Sequence, residues 1–197
     1  MEDWWTYTVS DFLLFSPRTY HRLIAHYNDD LWPTQLVALV AGGGILLLLR
    51  SGSAQATRAI HLLVAIGWAW VAWGFHLQRY ATINWAAVGF AAAFAVEALL
   101  FAIAAIAARP QLAASRRPAA IAGVGIFLFA LVAYPLIAKL GGRNWNEAEL
   151  FGLHPDPTAL GTLGLLLLAG RAGILPAVVP ALWLVIAALT LYGLAQG

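Results

Sequence analysis

Apolar segments of about membrane-spanning length dominate this sequence. A helix needs roughly 20 apolar residues to cross the hydrocarbon core, because it rises only ~1.5 Å per residue. Six segments reach or approach this length, and they predict an all-α polytopic transmembrane helix bundle of about six spans. The predicted spans are residues 32–49, 59–77, 84–108, 119–140, 157–169 and 174–195.

The fifth segment is the shortest of the six. Its roughly 13 residues reach only ~20 Å before Gly170 and Arg171 interrupt the apolar run. Three alternatives remain open for it: a short tilted span, a re-entrant half-helix, or the first part of a longer broken helix.

The composition excludes a soluble fold. Hydrophobic residues make up 62% of the chain and charged residues 10%, whereas soluble domains are roughly half apolar and a quarter charged. The formal net charge of +2 rests on few residues, so the predicted partner is the lipid bilayer and not nucleic acid. The chain has no cysteine, which excludes thiolate metal sites and a cysteine nucleophile.

Glu97 is the only acidic residue inside the predicted spans. A charge at bilayer depth costs at least ~2.5 kcal/mol, so such a residue usually has a role. Tyr134 is its predicted partner, because Pro135 frees the carbonyl near position 131 and invites a kink there. Three alternatives remain: a neutral carboxyl bonded to Tyr134, a proton or cation carrier in a transport path, or an acid or base at an intramembrane active site.

The first 31 residues are predicted to form an interfacial amphipathic segment ahead of a bundle at 32–197. Ser10-Asp11 can open one short helix, and Ser16-Pro17 predicts the start of a second. The second helix has one apolar or aromatic face, formed by Tyr20, Leu23, Ile24 and Tyr27. Further aromatic residues that suit the headgroup region are Trp4, Trp5, Tyr7 and Trp32. The segment is either a simple interfacial anchor or a cover over the mouth of a site.

Polar and aromatic residues concentrate where the second predicted span turns into the third. His76, Arg79 and Asn84 occur there together with aromatic rings. Such a group can bind a polar headgroup or a small anion, although aromatic and arginine side chains are also ordinary interfacial anchors.

A second polar concentration precedes the fifth segment. Asp156 and Pro157 read as an N-cap and a first helical residue, so a helix is predicted to begin there with its positive dipole end near His154 and Thr158. This helix start either holds an anion or a substrate carbonyl, or is an ordinary capped terminus. No metal site is predicted, because the acidic and histidine residues of this connection match no standard spacing. Those residues are Glu147, Glu149, His154 and Asp156.

Two histidines on the second predicted span raise the question of haem. His61 and His76 would lie about 22 Å apart, which suits two stacked haems. Each iron also needs an opposing ligand, and the remaining histidines lie outside the spans. No cofactor is therefore predicted, and a single haem or metal on His76 or His154 is left open.

Arginines in short connections predict the orientation. The basic connection at 109–118 is placed in the cytoplasm of a bacterial cell, so the protein is predicted to be multi-pass in the inner membrane with both termini extracytoplasmic. A re-entrant fifth segment would move the C-terminus to the cytoplasm. The connections that contain Arg79 and His154 then share the outer side, where they are predicted to form a vestibule.

Four stretches of the sequence resemble an uncharacterised family of bacterial integral membrane proteins, catalogued as domain of unknown function 6064. They are WWTYTVSDFLLFSPRTYHRL, YNDDLWPTQ, WVAWGFHLQRYATINWAA and FGLHPDPTALGTLGLLLL. The resemblance implies a compact multi-span bundle, and it implies no catalytic residues because the family has no assigned activity.

The sequence taken as a whole favours a transporter or channel-like protein for a small solute or ion over an enzyme, and the question of enzymatic activity stays open. The residues predicted to line its path are Glu97, Tyr134, His76, Arg79, Asn84, His154, Asp156 and Thr158. Two alternatives remain open, an intramembrane enzyme or haem- or metal-binding protein and an accessory subunit of a larger membrane complex. A homo-oligomer is compatible with each of these.

Overall fold

The protein consists of helices joined by short connections. The computed structural model describes residues 15–107, 112–115, 117–170 and 174–196, and no strand occurs among them. Among these residues, four helical stretches are long and apolar enough to cross a membrane, and a fifth is added if a bent pair near the N-terminus counts as one span. The four are Ala54–Thr82, Ala87–Ile106, Pro118–Leu140 and Leu175–Ala195. The chain is an all-α membrane protein, which confirms the predicted fold class.

The bent pair consists of helix α1 (Pro17–Leu31) and helix α2 (Thr34–Leu48), whose axes meet at 87°. The bend falls here because Pro33 disfavours a helical conformation at Trp32. Helix α2 has 15 residues and is shorter than the predicted span at 32–49.

The start of α1 follows the prediction. The Ser16 side chain accepts the backbone N–H of Thr19 at 3.2 Å, and Pro17 occupies the first helical turn. Tyr20, Ile24 and Tyr27 are buried on one face, as the helical spacing predicts. The helix predicted at Ser10-Asp11 and the aromatic residues Trp4, Trp5 and Tyr7 lie outside the described residues.

The second and third spans form the longest antiparallel pair in the described part of the chain. Helix α3 (Ala54–Trp70) continues as a π-helix over Val71–Leu77, and a 3-10 turn follows at Tyr80–Thr82. Helix α4 (Ala87–Ile106) returns against α3, with its buried face lined by alanine and phenylalanine. The predicted spans at 59–77 and 84–108 are therefore both present.

The fourth span is irregular at its centre. Helix α5 (Pro118–Leu128) passes through a π-helix at Phe129–Ala133 into helix α6 (Tyr134–Leu140). Pro135 has no N–H to donate to Leu131, so the helical ladder is interrupted where the sequence predicts a kink.

Helix α7 (Pro155–Ala169) lies inside the bundle, and eleven of its 15 residues are buried. Its backbone packs directly on α5, since a Cβ added at Gly164 would lie 2.7 Å from the carbonyl oxygen of Gly123. Helix α8 (Val178–Gln196) completes the bundle. Helix α7 is therefore shorter than a regular span and is surrounded by protein, as small residues at its interface permit.

The connections gather at two ends of the bundle. At one end, which we call the α1 end, α1 packs on the connections that precede α4 and α7: Arg79 pairs with Asp30, and Asn28 donates to the carbonyl oxygens of Asn146 and Ala148 at 2.8 Å. At the opposite end, the N–H of Ala114 donates to the carbonyl oxygen of Leu49 at 2.9 Å. The connections before α4 and α7 thus lie at one end of the bundle and those at Leu49 and Ala114 at the other, as the sequence predicts.

Candidate functional site

Asp156 holds three helices together at the start of α7. Its Oδ1 accepts the indole N–H of Trp183 from α8 at 2.8 Å, and its Oδ2 accepts the hydroxyl of Tyr134 from α6 at 3.1 Å. The carboxyl group is buried, with 4% of Asp156 exposed. A buried carboxylate needs such donors, because an unpaired charge away from water is costly.

The predicted capping role of Asp156 is wrong. Helix α7 begins at Pro155, and His154 occupies the N-cap position. Two prolines, Pro155 and Pro157, fit the first turn of a helix because N–H groups there have no partner within the helix. Asp156 is therefore free to turn its side chain toward the neighbouring helices.

The predicted partnership between Tyr134 and Glu97 is also wrong. The Tyr134 hydroxyl donates to Asp156, and neither carboxyl oxygen of Glu97 has a hydrogen-bond partner among the residues that the structure describes. The two residues lie on separate helices, and the rotation of α6 directs the tyrosine to α7. Glu97 and Tyr134, which the sequence pairs because both are polar residues in apolar spans, are thus not hydrogen-bonded to each other in the bundle.

His154 and Thr158 close the turn that precedes α7. The His154 Nδ1 accepts the backbone N–H of Leu150 at 3.1 Å, which leaves the proton of the neutral ring on Nε2. The Thr158 hydroxyl donates to the His154 carbonyl oxygen at 2.6 Å and accepts the N–H of Gly152 at 2.8 Å. These bonds use the Nδ1 atom of His154 and the hydroxyl of Thr158, whereas the Nε2 atom of His154 has no hydrogen-bond partner among the described residues.

Two titratable groups of this connection have shifted pKa values. Burial, together with the charge of Asp156, raises the pKa of Glu149 to about 8, against a smaller opposing effect of Arg143. Burial lowers the pKa of His154 to about 3, and the hydrogen bond from Leu150 opposes this. Both side chains are therefore neutral near pH 7.

Tyr27 ties α1 to this region, a link that sequence reasoning missed. Its hydroxyl donates to the carbonyl oxygen of Leu153 at 3.0 Å and accepts the indole N–H of Trp70 at 2.9 Å. Its ring lies edge-on to His154 with centroids 5.2 Å apart. Helix α1 is thus bonded to the bundle and is more than a surface anchor.

Glu97 lies at the middle of α4, with none of its surface exposed. It is on the buried face between Phe94 and Phe101. Phe94 packs on Trp68 of α3 with ring centroids 4.4 Å apart, and Phe101 lies 5.9 Å from the ring of His61. Because α3 and α4 run antiparallel, Glu97 faces the apolar stretch of α3 between these two contacts.

His76 is a second fully buried titratable residue, and neither of its ring nitrogens has a hydrogen-bond partner in the part of the chain that the structure describes. It lies in the π-helix, a conformation that is frequent at functional sites. Its ring is 4.5 Å from that of Phe94 and 5.0 Å from that of Trp183. The ring of Phe94 thus lies between His76 and the turn of α4 that contains Glu97.

These groups form what we call the interior row along the α3 and α4 interface. Its members, in order, are His76, Phe94, Glu97, Phe101 and His61. Phe75 extends the row toward α7, because its ring lies 5.5 Å from His76 and 5.7 Å from His154. Polar and aromatic side chains alternate along the row.

Arg79 and Asn84 do not join the interior row. The Arg79 guanidinium pairs with Asp30 at 2.7 Å at the surface, and Asn84 accepts the N–H of Ala86 at 3.0 Å beside the start of α4. His76 and His154 have no exposed surface. In the described part of the chain the four residues predicted to form a vestibule all belong to the α1 end, with Arg79 at the surface and His76 and His154 in the interior.

Trp183 is the other residue that sequence reasoning missed, because a tryptophan in an apolar span gives no signal of its own.

Among the described residues, no group of three or more His, Asp or Glu side chains could hold a metal ion.

The family model described as a family of unknown function (DUF6064) matches residues 18–196 of the chain. No curated protein and no solved structure matches the chain.

Proposed function

The chain belongs to the family of unknown function (DUF6064), and because membership assigns no activity, we propose a function from its own buried groups. The protein is a transporter or channel-like protein for a small solute or ion, in which Glu97 takes up and releases a proton inside the bundle. We place it in the bacterial cytoplasmic membrane on the strength of its arginine-rich connection at 109–118.

The observation that carries this proposal is a pair of fully buried titratable side chains, Glu97 and His76, whose polar atoms all lack a hydrogen-bond partner among the described residues. A structural carboxyl or imidazole at this depth is expected to have its hydrogen bonds satisfied, because an unsatisfied buried polar group costs about 1–3 kcal/mol. Asp156, Thr158 and Thr162 meet that expectation in the same bundle. An unsatisfied carboxyl at the centre of a span is typical of a group that exchanges a proton or ion.

The interior row supplies a route for that exchange. Phe94 and Phe101 separate Glu97 from His76 and His61, so the row is closed to direct proton transfer in this conformation. Transfer requires movement of α3 against α4. The π-helix at Val71–Leu77 supports such a movement, because its widened turn can shift its hydrogen-bond ladder by one residue.

Proton flux into proteoliposomes tests the proposal. The purified protein is reconstituted in vesicles that contain a pH-sensitive dye, and a potassium diffusion potential drives protons inward. Wild type is expected to acidify the vesicles faster than protein-free liposomes, and Glu97→Gln to reduce the rate to the protein-free level. Glu147→Gln, a matched change at the surface, should retain the wild-type rate.

The proposal fails if wild-type vesicles acidify no faster than protein-free ones. It fails equally if Glu97→Gln, incorporated to the same density, conducts as wild type does. Size-exclusion profiles of both variants establish that the comparison concerns folded protein.

A further inference from the structure

A polar groove lies at the α1 end, apart from the interior row. It has a volume of about 350 Å³ and is formed between α1 and the residues that follow the π-helix of α3. Its polar lining consists of Thr19, Arg22, His26, Gln78, Arg79 and Thr82. Two arginines from elements far apart in sequence therefore meet around one cavity.

The charge of this groove is positive. None of its lining residues is acidic. Asp30 lies at its edge and binds one nitrogen of Arg79, the Nη2 atom, at 2.7 Å. A guanidinium has five N–H donors, so Arg79 retains further donors after this bond. Arg22 makes no side-chain hydrogen bond to any part of the chain that the structure describes.

Gln78 is the neutral side chain of the groove that suits an anion, because its amide carries two N–H donors. The Thr82 hydroxyl already donates to the carbonyl oxygen of Arg79 at 2.7 Å, and the Thr19 hydroxyl pairs with that of Ser16 at 3.0 Å. The planar guanidinium groups of the two arginines match the geometry of phosphate oxygens, and the amide of Gln78 adds a neutral donor beside them.

The position of the groove agrees with this chemistry. It opens beside the end of the Ala54–Thr82 span, close in sequence to Trp85, which is 78% exposed. Exposed tryptophan at the end of a span is typical of the headgroup region of a bilayer. An anion bound here would contact α1 and the turn after α3 at once.

We propose that the groove between α1 and the turn after α3 is a binding site for a phosphate group, carried either by an anionic phospholipid or by a soluble phosphate compound. The site is independent of proton movement through Glu97. Its occupant bridges Arg22 and Arg79 and holds α1 on the bundle.

Binding to the full-length protein in a neutral detergent tests the proposal. The probes are short-chain phosphatidylglycerol, short-chain phosphatidylcholine and inorganic phosphate, each titrated calorimetrically into delipidated protein. Saturable binding of phosphatidylglycerol without binding of inorganic phosphate identifies a lipid site. Saturable binding of inorganic phosphate identifies a site for soluble phosphate. Binding of phosphatidylcholine with the same affinity as phosphatidylglycerol would overturn the proposal, because the groove would then show no preference for an anion.

Matched arginine variants locate the site. Arg22→Gln should weaken binding about tenfold or more, because it removes a charge-assisted contact. Arg18→Gln makes the same change of charge on α1 but outside the groove lining, and should bind as wild type does. Gln78→Leu should also weaken binding and leaves the net charge unchanged. The proposal is overturned if no probe binds, or if Arg18→Gln weakens binding as much as Arg22→Gln.

Discussion

The indole N–H of Trp183 donates to the carboxylate of Asp156 at 2.8 Å, and this bond joins α8 to the buried start of α7. Trp183 also packs on His76 and Phe94, so the same side chain contacts both the polar cluster at α7 and the interior row.

Trp183→Phe should destabilise the protein by about 2–3 kcal/mol. The substitution leaves one oxygen of Asp156 without its donor and removes buried volume. Thermal unfolding in detergent measures the effect, and Trp85→Phe at an exposed position is the matched control. Equal unfolding midpoints for Trp183→Phe and wild type would show that the bond contributes nothing to stability.

Glu97→Leu should stabilise the protein by about 1–3 kcal/mol while it abolishes proton flux. A leucine of similar size removes an unsatisfied carboxyl from an apolar contact between α3 and α4. Unfolding and flux are measured on the same preparation. A lower unfolding midpoint would instead assign Glu97 a structural role, as a hydrogen-bonded group would have.

Gly164→Ala should destabilise the bundle strongly, by about 2 kcal/mol or more. The added methyl group would lie 2.7 Å from the carbonyl oxygen of Gly123 and 2.8 Å from the backbone nitrogen of Phe127, and a backbone cannot move aside as a side chain can. Gly125→Ala is the control on α5, because its added Cβ has no described atom within 4 Å apart from its chain neighbours and the nearby backbone of its own helix. That change should be neutral or stabilising, by up to about 1 kcal/mol. Loss of stability in both variants to the same degree would contradict direct packing of α5 on α7.

The stability of Glu149→Gln relative to wild type should increase as the pH rises from about 4.5 to 8. The pKa of Glu149 is raised from 4.5 to about 8 in the folded protein, so the folded state binds more protons across this range and wild type loses stability as pH rises. Glutamine remains neutral and avoids this loss. Unfolding midpoints at pH 4.5 and pH 8 measure it, and a difference between variant and wild type that stays constant with pH would contradict the shifted pKa.

Titration of His154 lowers the stability of the folded protein as the pH falls, whereas that of Glu149 lowers it as the pH rises. Its folded pKa of about 3 lies below the ordinary value of 6.5, so its contribution to stability is lost as the pH falls from 6.5 toward 3. His154→Gln should therefore be less sensitive than wild type to acid in that range. The same unfolding series extended to pH 4 provides the measurement.

The sequence predicts the helices of this protein better than the contacts between them. Span length and the Ser16-Pro17 cap depend on local composition, and both appear in the structure. The partner of Tyr134 depends on which helices are neighbours and how each is rotated, and hydropathy contains neither. Glu97 could be identified from the sequence alone, because a single carboxyl residue within an apolar run is recognisable without knowledge of the fold. The hydrogen bonds of Tyr27 and Trp183 join residues 126 and 27 positions apart in the chain, so no local pattern indicates them.

The enclosure of α7 affects the order in which the chain can be assembled during biosynthesis. With 15 residues and a carboxyl in its first turn, this segment is a poor substrate for independent insertion into lipid. Its carboxyl obtains a donor from α6, which is synthesised earlier, and from α8, which is synthesised later. We therefore expect helix α7 to reach its final depth only after α8 has been synthesised, as a late step of assembly.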